Sequence, residues 1–163
     1  MSFLRNNRYF ILIAMTGLVL IAAAYAFVAL NDTGTVTSPV PSSFTVNGKT
    51  YAFTYTATNN DQRSAGLMNR KIENTTTMLF DFPSPGTYRF WMYDTNVSLD
   101  MIWINASGSS GTVVYVYSDA QPCYSQITCP TFGPSSPANY VIEAKAGFAE
   151  ANGIQVGTQV RFG

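Results

Sequence analysis

Histidine is absent from this sequence of 163 residues. Because histidine is the commonest general base and the commonest transition-metal ligand in proteins, its absence excludes catalytic triads and histidine-based zinc sites. Catalysis by carboxylates alone stays compatible with the composition. We therefore expect a protein without a bound metal or other cofactor.

Charged residues are also scarce, at 11% of the chain, whereas a typical soluble domain has about 25%. Arg5 and Arg8 precede a long apolar run, and the chain from Asn31 onward carries seven basic and nine acidic residues. No basic stripe is available for phosphate contacts, so nucleic acid is not expected as a partner. Serine, threonine, asparagine and tyrosine must supply most of the polar surface.

The apolar run Phe10–Leu30 contains 21 consecutive residues without a charge. A helix of this length rises about 31 Å, which is enough to cross the hydrocarbon core of a bilayer. Arg5 and Arg8 precede the run, and Asp32 follows it. The positive-inside rule therefore predicts a single-pass membrane protein whose residues 1–9 are cytoplasmic and whose remaining chain lies outside the cell membrane.

A cleaved signal peptide is the alternative, and it would make the protein a secreted one. Ala22–Ala24 and Ala24–Ala26 both resemble small-residue cleavage sites. The apolar run continues past both of them and exceeds the usual length of about 7–15 residues, which favours a retained anchor. Residues 31–43 contain two prolines and no apolar period, so they predict a flexible stalk before a domain at 44–163.

Two further features agree with an extracytoplasmic location. Cys123 and Cys129 are the only cysteines, and they flank a short loop that an oxidising compartment would close as a disulfide. Unpaired thiols or a metal site are the alternatives, but two thiolates without histidine make a poor zinc site. The chain also contains four N-x-S/T glycosylation sequons, at Asn31, Asn74, Asn96 and Asn105.

The chain after the stalk has the pattern of a β-rich domain. Asn47-Gly48 supplies the two positive-φ residues of a tight hairpin turn. Aromatic residues alternate with small ones across Tyr51–Tyr55, as in a half-buried strand. Residues Asn60–Arg70 predict a short helix that is capped by Asn60 or Asp61.

Further strands are separated by segments rich in glycine, proline, serine and asparagine. They are predicted at Thr77–Phe82, Tyr88–Met92, Leu99–Asn105, Thr112–Ser118, Tyr140–Lys145 and Gln155–Phe162. A long irregular loop at Asp119–Pro137 and one helical turn at Phe148–Asn152 complete the pattern. The predicted fold is therefore mostly β, a compact antiparallel barrel or sandwich with one short helix.

The chain resembles the domain of unknown function 192 family in several segments that occur in the same order. These are Arg63–Arg70 (RSAGLMNR), Met78–Phe82 (MLFDF), Phe90–Thr95 (FWMYDT), Leu99–Ile104 (LDMIWI) and Pro137–Glu143 (PANYVIE). The resemblance covers about residues 44–162 and implies a compact β-rich domain that often follows a signal peptide or an anchor. It implies no particular activity, because none is established for the family.

The turn after Trp91 is the candidate binding site. The predicted ligand-binding rim consists of Trp91, Tyr93, Asp94 and Thr95. The ring of Trp91 or Tyr93 would stack against a sugar. Packing in the core is the alternative role of Trp91. The family usually has Lys-Asn where this chain has Tyr93-Asp94, and Cys123 is an addition to the single cysteine of the family.

Two carboxylates lie among apolar residues, where a carboxylate is costly to bury unless it is paired or hydrogen-bonded. Asp100 is assigned a structural role. Its expected partners are Arg70, Arg89 or the backbone N–H groups of the Asp94–Ser98 turn. Glu143 is expected to face solvent. No catalytic residue is assigned, since a hydrolase would need the two carboxylates close together.

Three functions are compatible with these features. The favoured one is non-catalytic binding of a glycan, a wall component or an envelope protein by a membrane-anchored extracytoplasmic module. The alternatives are an accessory subunit of a membrane protein complex, in which the anchor helix makes the contacts, and a carboxylate-based hydrolase. The lack of histidine, the low charge and the aromatic content favour the binding module.

We expect the Phe10–Leu30 helix to remain in the mature protein and to hold it in the cell membrane. Its apolar length suits a bilayer-spanning helix better than a cleaved signal peptide. Intact-mass measurement on protein extracted from membranes should therefore return the full-length chain. A mature N-terminus near Tyr25 or Phe27 would instead show that the domain is secreted.

Overall fold

The structure is a computed structural model, and it describes residues 39–163. The predicted anchor at 10–30, the tail before it, most of the stalk and the sequon at Asn31 lie outside the described residues. Among residues 39–163, no helix is long and apolar enough to cross a bilayer. The described residues form a domain that is mostly β, which confirms the predicted class.

The described residues contain ten strands and two short helices. The strands are β1 (Ser43–Val46), β2 (Lys49–Ala52), β3 (Tyr55–Ala57), β4 (Thr77–Gly86), β5 (Phe90–Trp91), β6 (Leu99–Ser107), β7 (Ser110–Ala120), β8 (Thr131–Phe132), β9 (Ala138–Lys145) and β10 (Gln159–Phe162). The helices are α1 (Asn60–Ala65) and α2 (Phe148–Ala151). The predicted strands at Tyr88–Met92 and Gln155–Phe162 are thus shorter than expected, and β8 lies in the predicted long loop.

Eight strands form one sheet in the order β2-β1-β10-β7-β6-β9-β4-β3, and β5 pairs with β8 separately. Every pair of neighbouring strands in the described domain is antiparallel except β3 and β4, which are parallel. The two edge strands, β2 and β3, follow each other in the chain with Phe53 and Thr54 between them. This short link brings the edges together, so the sheet curls into a half-barrel. A single curled sheet therefore replaces the predicted barrel or sandwich.

The turn at Asn47-Gly48 joins β1 to β2 as predicted. Both residues have positive φ, 48° at Asn47 and 79° at Gly48, which is the backbone that a type I′ hairpin turn requires. The register places Val46 opposite Lys49, so the loop contains only these two residues. This turn fixes which side chains of β1 face the core.

Helix α1 is shorter than predicted and has a different cap. Asn59, one residue before the predicted caps, accepts from the Gln62 backbone N–H at 2.9 Å, and the Gln62 side chain accepts from the Asn59 N–H at 3.3 Å. This reciprocal pair is a capping box. The helix ends at Ala65 because Gly66 has φ 46° and ψ −135°, a conformation that residues with a Cβ adopt only with strain.

The central strands β4, β6 and β9 are buried on both faces of the sheet. Side chains alternate between the two faces along each strand. The first face, defined by Leu79, Ile102 and Ile142, packs against β1, β10 and α2. The second face, defined by Met101 and Trp103, is covered by β5, β8 and the segment that follows α1. Both faces therefore need a cover that keeps water away from apolar side chains.

Asp100 lies on the first face and is 1% exposed. Its Oδ1 accepts from the Asp119 N–H at 2.9 Å, and its Oδ2 accepts from the Ala149 N–H at 2.8 Å. The carboxylate thus ties the end of β7 and the start of α2 to β6. The prediction that Asp100 pairs with Arg89 or with the turn after Trp91 is therefore wrong. Those groups lie over the second face of the sheet.

Replacing Asp100 by alanine is expected to lower the free energy of unfolding by about 1–3 kcal/mol, because two buried backbone N–H groups lose their acceptor. Urea unfolding measures this loss. Glu150→Ala is the matched control, since Glu150 is an exposed carboxylate of α2. Equal unfolding midpoints for Asp100→Ala and the parent protein would contradict this assignment.

Candidate functional site

An open groove of about 590 Å³ lies between α1 and the chain that joins β4 to β5. Its lining consists of aromatic, basic and small polar residues. They are Asn60, Arg63, Ser64, Phe82, Pro83, Tyr88, Arg89, Phe90 and Trp91. Of these, the sequence pattern indicated only Trp91 as a ligand-binding residue, because the others come from three segments that only the folded sheet brings together.

Aromatic rings form much of the groove wall. Trp91 has 38% of its surface exposed, and its ring lies 5.3 Å from that of Tyr93. Phe82 and Tyr88 stack with ring centroids 3.6 Å apart and an interplanar angle of 10°. The Tyr88 hydroxyl also donates to the Ser84 carbonyl oxygen at 2.8 Å. Trp91 therefore offers a flat apolar face whose neighbours are held in place by their own contacts.

Two arginines border the groove, and backbone oxygens hold both of them. Arg63 donates from Nε and Nη2 to the Asp81 carbonyl oxygen at 3.0 and 2.7 Å. Arg89 donates from Nη2 to the Thr131 carbonyl oxygen at 2.7 Å. Within the described domain, neither guanidinium has a carboxylate within 4.0 Å. Burial raises the pKa of the Asp81 carboxyl, and Arg63 offsets only part of that rise.

A narrow crevice of about 20 Å³ lies beside the groove and shares Arg63, Ser64, Phe90 and Trp91 with it. Glu143 of β9 also lines this crevice and is 4% exposed. Its carboxyl has no hydrogen-bond partner among residues 39–163. Burial raises the pKa of Glu143 from its ordinary value of 4.5 to about 8, so the folded protein carries a neutral carboxyl there at pH 7.

The position of Glu143 contradicts the expectation that it faces solvent. It lies opposite Met101 of β6, and it therefore belongs to the second face of the sheet. Asp100 lies on the first face, so the two carboxyl groups are separated by the sheet. They do not form the facing pair that glycosidases use. Among residues 39–163, no three histidine, cysteine or acidic side chains converge to hold a metal ion.

The turn after Trp91 is tied to two other segments by its backbone. Asp94, with φ 49°, donates its N–H to the Cys123 carbonyl oxygen and accepts from the Asn69 N–H, both at 2.9 Å. Thr95 is 4% exposed and lines the crevice together with Trp91. Tyr93 and Asp94 are half-buried and line neither the groove nor the crevice. The structure therefore gathers only Trp91 and Thr95 of the predicted rim.

Cys123 and Cys129 form the predicted disulfide, with their Cα atoms 5.7 Å apart. Cys123 also makes an isolated β-bridge with Tyr93. The closed loop therefore lies directly behind the turn that carries Thr95. The disulfide closes this loop, and two backbone hydrogen bonds join the loop to the turn, from the Asp94 N–H to the Cys123 carbonyl oxygen and from the Cys123 N–H to the Met92 carbonyl oxygen.

The other predicted site residues lie outside the groove and the crevice. Arg70 donates from Nε to the Gly66 carbonyl oxygen at 3.0 Å, and its guanidinium lies 4.3 Å from the ring centroid of Tyr55. It supports the end of α1 and makes no contact with Asp100. Three sequon asparagines within the described residues are exposed, and their glycosylation stays a prediction. They are Asn74, Asn96 and Asn105.

The fold and its surface define a small half-barrel domain with an open, aromatic-lined groove. The model of the DUF192 family, described as an uncharacterized ACR, matches residues 43–162. The chain therefore belongs to the domain of unknown function 192 family, as the sequence segments indicated. None of the curated proteins matches the chain.

Two solved structures have a similar fold. One is a protein from Sinorhizobium meliloti 1021 described as a candidate transcription regulator, with 29% sequence identity and a TM-score of 0.62, over 74% of this chain and 90% of that chain. The other is a protein of unknown function from Novosphingobium aromaticivorans DSM 12444, with 25% identity and a TM-score of 0.62, over 75% and 84% of the two chains.

Replacing Glu143 by glutamine is expected to remove a pH dependence of stability. A carboxyl whose pKa rises from 4.5 to about 8 on folding stabilises the fold fully below pH 4.5, and that stability is lost as the pH rises through about 8. One pKa unit corresponds to about 1.4 kcal/mol, so the parent protein should lose on the order of 2–5 kcal/mol across this window. Glu143→Gln has no proton to lose at this position, so its stability should fall less than that of the parent protein across the same window.

Urea unfolding at several pH values between 4 and 9 measures this difference. Glu150→Gln is the control, because it makes the same chemical change at an exposed carboxyl. Parallel pH profiles for Glu143→Gln and the parent protein would show that the Glu143 carboxyl titrates as it does in the unfolded chain.

Proposed function

We propose that this domain is a non-catalytic binding module for glycans, held outside the cell by its N-terminal anchor. The observation that carries the proposal is the open groove of about 590 Å³ along which Trp91 presents an exposed indole face. A sugar ring has apolar C–H faces and polar edges. It therefore suits a surface that combines a flat aromatic face with hydrogen-bonding groups around it.

Polar groups for the sugar hydroxyls are present along the same groove. Asn60 and Ser64 are exposed side chains of α1, and Arg89 borders the groove beside Trp91. Arg89 keeps its Nη1 group free of protein partners among the described residues. The groove thus offers donors and acceptors without a catalytic pair, which supports binding rather than turnover.

The location outside the cell is supported by the disulfide between Cys123 and Cys129, since such bonds persist in oxidising compartments. The apolar run Phe10–Leu30 supplies the means of attachment. A glycan or wall polymer at the cell surface is therefore a ligand that the proposed module would meet.

The other functions have less support. A hydrolase that uses Asp100 and Glu143 would need both on one side of the sheet, and they lie on opposite faces. An accessory subunit would depend on the anchor helix, which lies outside the described residues. The relative from Sinorhizobium meliloti is described as a candidate transcription regulator, but this chain has no basic stripe for binding DNA.

Trp91→Ala should abolish most of the binding of the full-length protein to its ligands on a glycan array. Loss of the stacking face is expected to weaken affinity by at least about tenfold. Because Trp91 is 38% exposed and the rest of its surface is packed, the melting temperature should fall, and binding is compared at a temperature where both proteins are folded.

Tyr124→Ala is the matched control, since Tyr124 is an aromatic residue that is 65% exposed and lies outside the groove. It should bind the array like the parent protein. Unchanged binding by Trp91→Ala, or a parent protein that binds no glycan, would show that the groove has another role.

A further inference from the structure

We infer that the crevice beside Trp91 is a subsite for one hydroxyl group of the ligand, and that Glu143 is the residue that selects for it. This inference rests on the proposed glycan-binding function and names the feature of the glycan that the site reads. Three features of the crevice support it: the unpaired Glu143 carboxyl, the volume of the crevice, and the residues that line it.

Glu143 is a buried residue that lines the crevice. The residue is 4% exposed, and its side chain has no hydrogen-bond partner among residues 39–163. Within the same part of the chain, every side-chain nitrogen or oxygen that is fully closed off from solvent has a partner. The unpaired oxygens of Glu143 must therefore face space that admits a solvent-sized group, and Glu143 lines the crevice.

The crevice has room for one small polar group. Its volume is about 20 Å³, and a single water needs about 10–15 Å³ by the same kind of measure. Thr95, which is 4% exposed, also lines it. The Thr95 hydroxyl makes only a long contact of 3.4 Å with the Tyr93 carbonyl oxygen, so it is available to a further partner.

A hydroxyl fits these neighbours better than a charged group. An ammonium group would enter next to the Arg63 guanidinium, which lines the same crevice and has no carboxylate within 4.0 Å. A carboxylate has three heavy atoms and is too large for a crevice of about 20 Å³. A hydroxyl both donates and accepts, so it satisfies the Glu143 carboxyl and the Thr95 hydroxyl together.

The crevice and the groove are parts of one site. Arg63, Ser64, Phe90 and Trp91 line both spaces, and Trp91 stands at their boundary. The sugar ring that stacks on Trp91 is therefore the ring whose hydroxyl enters the crevice. Stacking on Trp91 supplies general affinity for sugars, whereas the hydroxyl contact with Glu143 distinguishes one sugar from another.

The first experiment compares the full-length parent protein with Glu143→Leu on glycan-array ligands and on their monodeoxy analogues. Loss of one hydrogen bond should weaken the binding of Glu143→Leu by about tenfold, whereas one particular deoxy analogue should bind the parent and the variant equally. Glu143→Gln keeps a hydrogen-bonding group and should retain most of the affinity. If Glu143→Leu keeps the parent's affinity for every ligand, the inference fails while glycan binding through Trp91 stands.

The second experiment needs no glycan. Ethylene glycol, a small diol, is titrated into the full-length protein in detergent micelles while the side-chain carboxyl carbon of Glu143 is followed by NMR. A saturable shift is expected in the parent protein and in Trp91→Ala, and its loss is expected in Thr95→Val. No saturable shift in the parent protein would overturn the subsite. A shift without any glycan binding would support the subsite and reject the proposed glycan function.

Discussion

The central strands of the sheet carry apolar side chains on both faces, and the rest of the structure follows from the need to cover both. Leu99–Ile104 of β6 is a run of six consecutive buried residues, so no face of that strand can be left to solvent. The first face is covered by the sheet itself, which curls until β1, β10 and α2 pack against it. Curling cannot also cover the second face. That face is closed by shorter pieces, namely β5, β8 and the segment after α1.

The candidate site lies where this second cover is thinnest. Helix α1 ends at Ala65, and the next residue, Gly66, has positive φ and lies against the ring of Phe80. Beside it, β5 is only two residues long and leaves 38% of the surface of Trp91 exposed. The groove and the crevice are the gaps between these pieces. A continuous helix or strand over the second face would have closed them, so the fragmented cover leaves the groove and the crevice open.

Patterns that depend on neighbouring residues could be predicted from the sequence. The Asn47-Gly48 hairpin, most strands and the Cys123–Cys129 disulfide follow from local chemistry, and the structure contains them. The curl of the sheet was not predictable in this way, because it depends on which strands are neighbours across the sheet. The same limit applies to Glu143. Its alternation with Ile142 suggested a solvated position, since the sequence gives no sign that a second layer covers that face. The groove residues were missed because they come from three separate segments.

Asp100 and Glu143 differ in whether the fold provides a partner for their buried carboxyl groups. Both carboxyl groups are almost completely buried, and burial of such a group is costly without a partner. Asp100 meets this cost with two backbone N–H donors and joins β7 and α2 to β6. The Glu143 carboxyl makes no hydrogen bond within the described residues, and its pKa is raised by burial alone. If the side chain at position 143 only filled space on the second face, leucine or methionine there would give a more stable domain. The Glu143 carboxyl has no such partner within the described residues, and the proposed ligand hydroxyl would supply one.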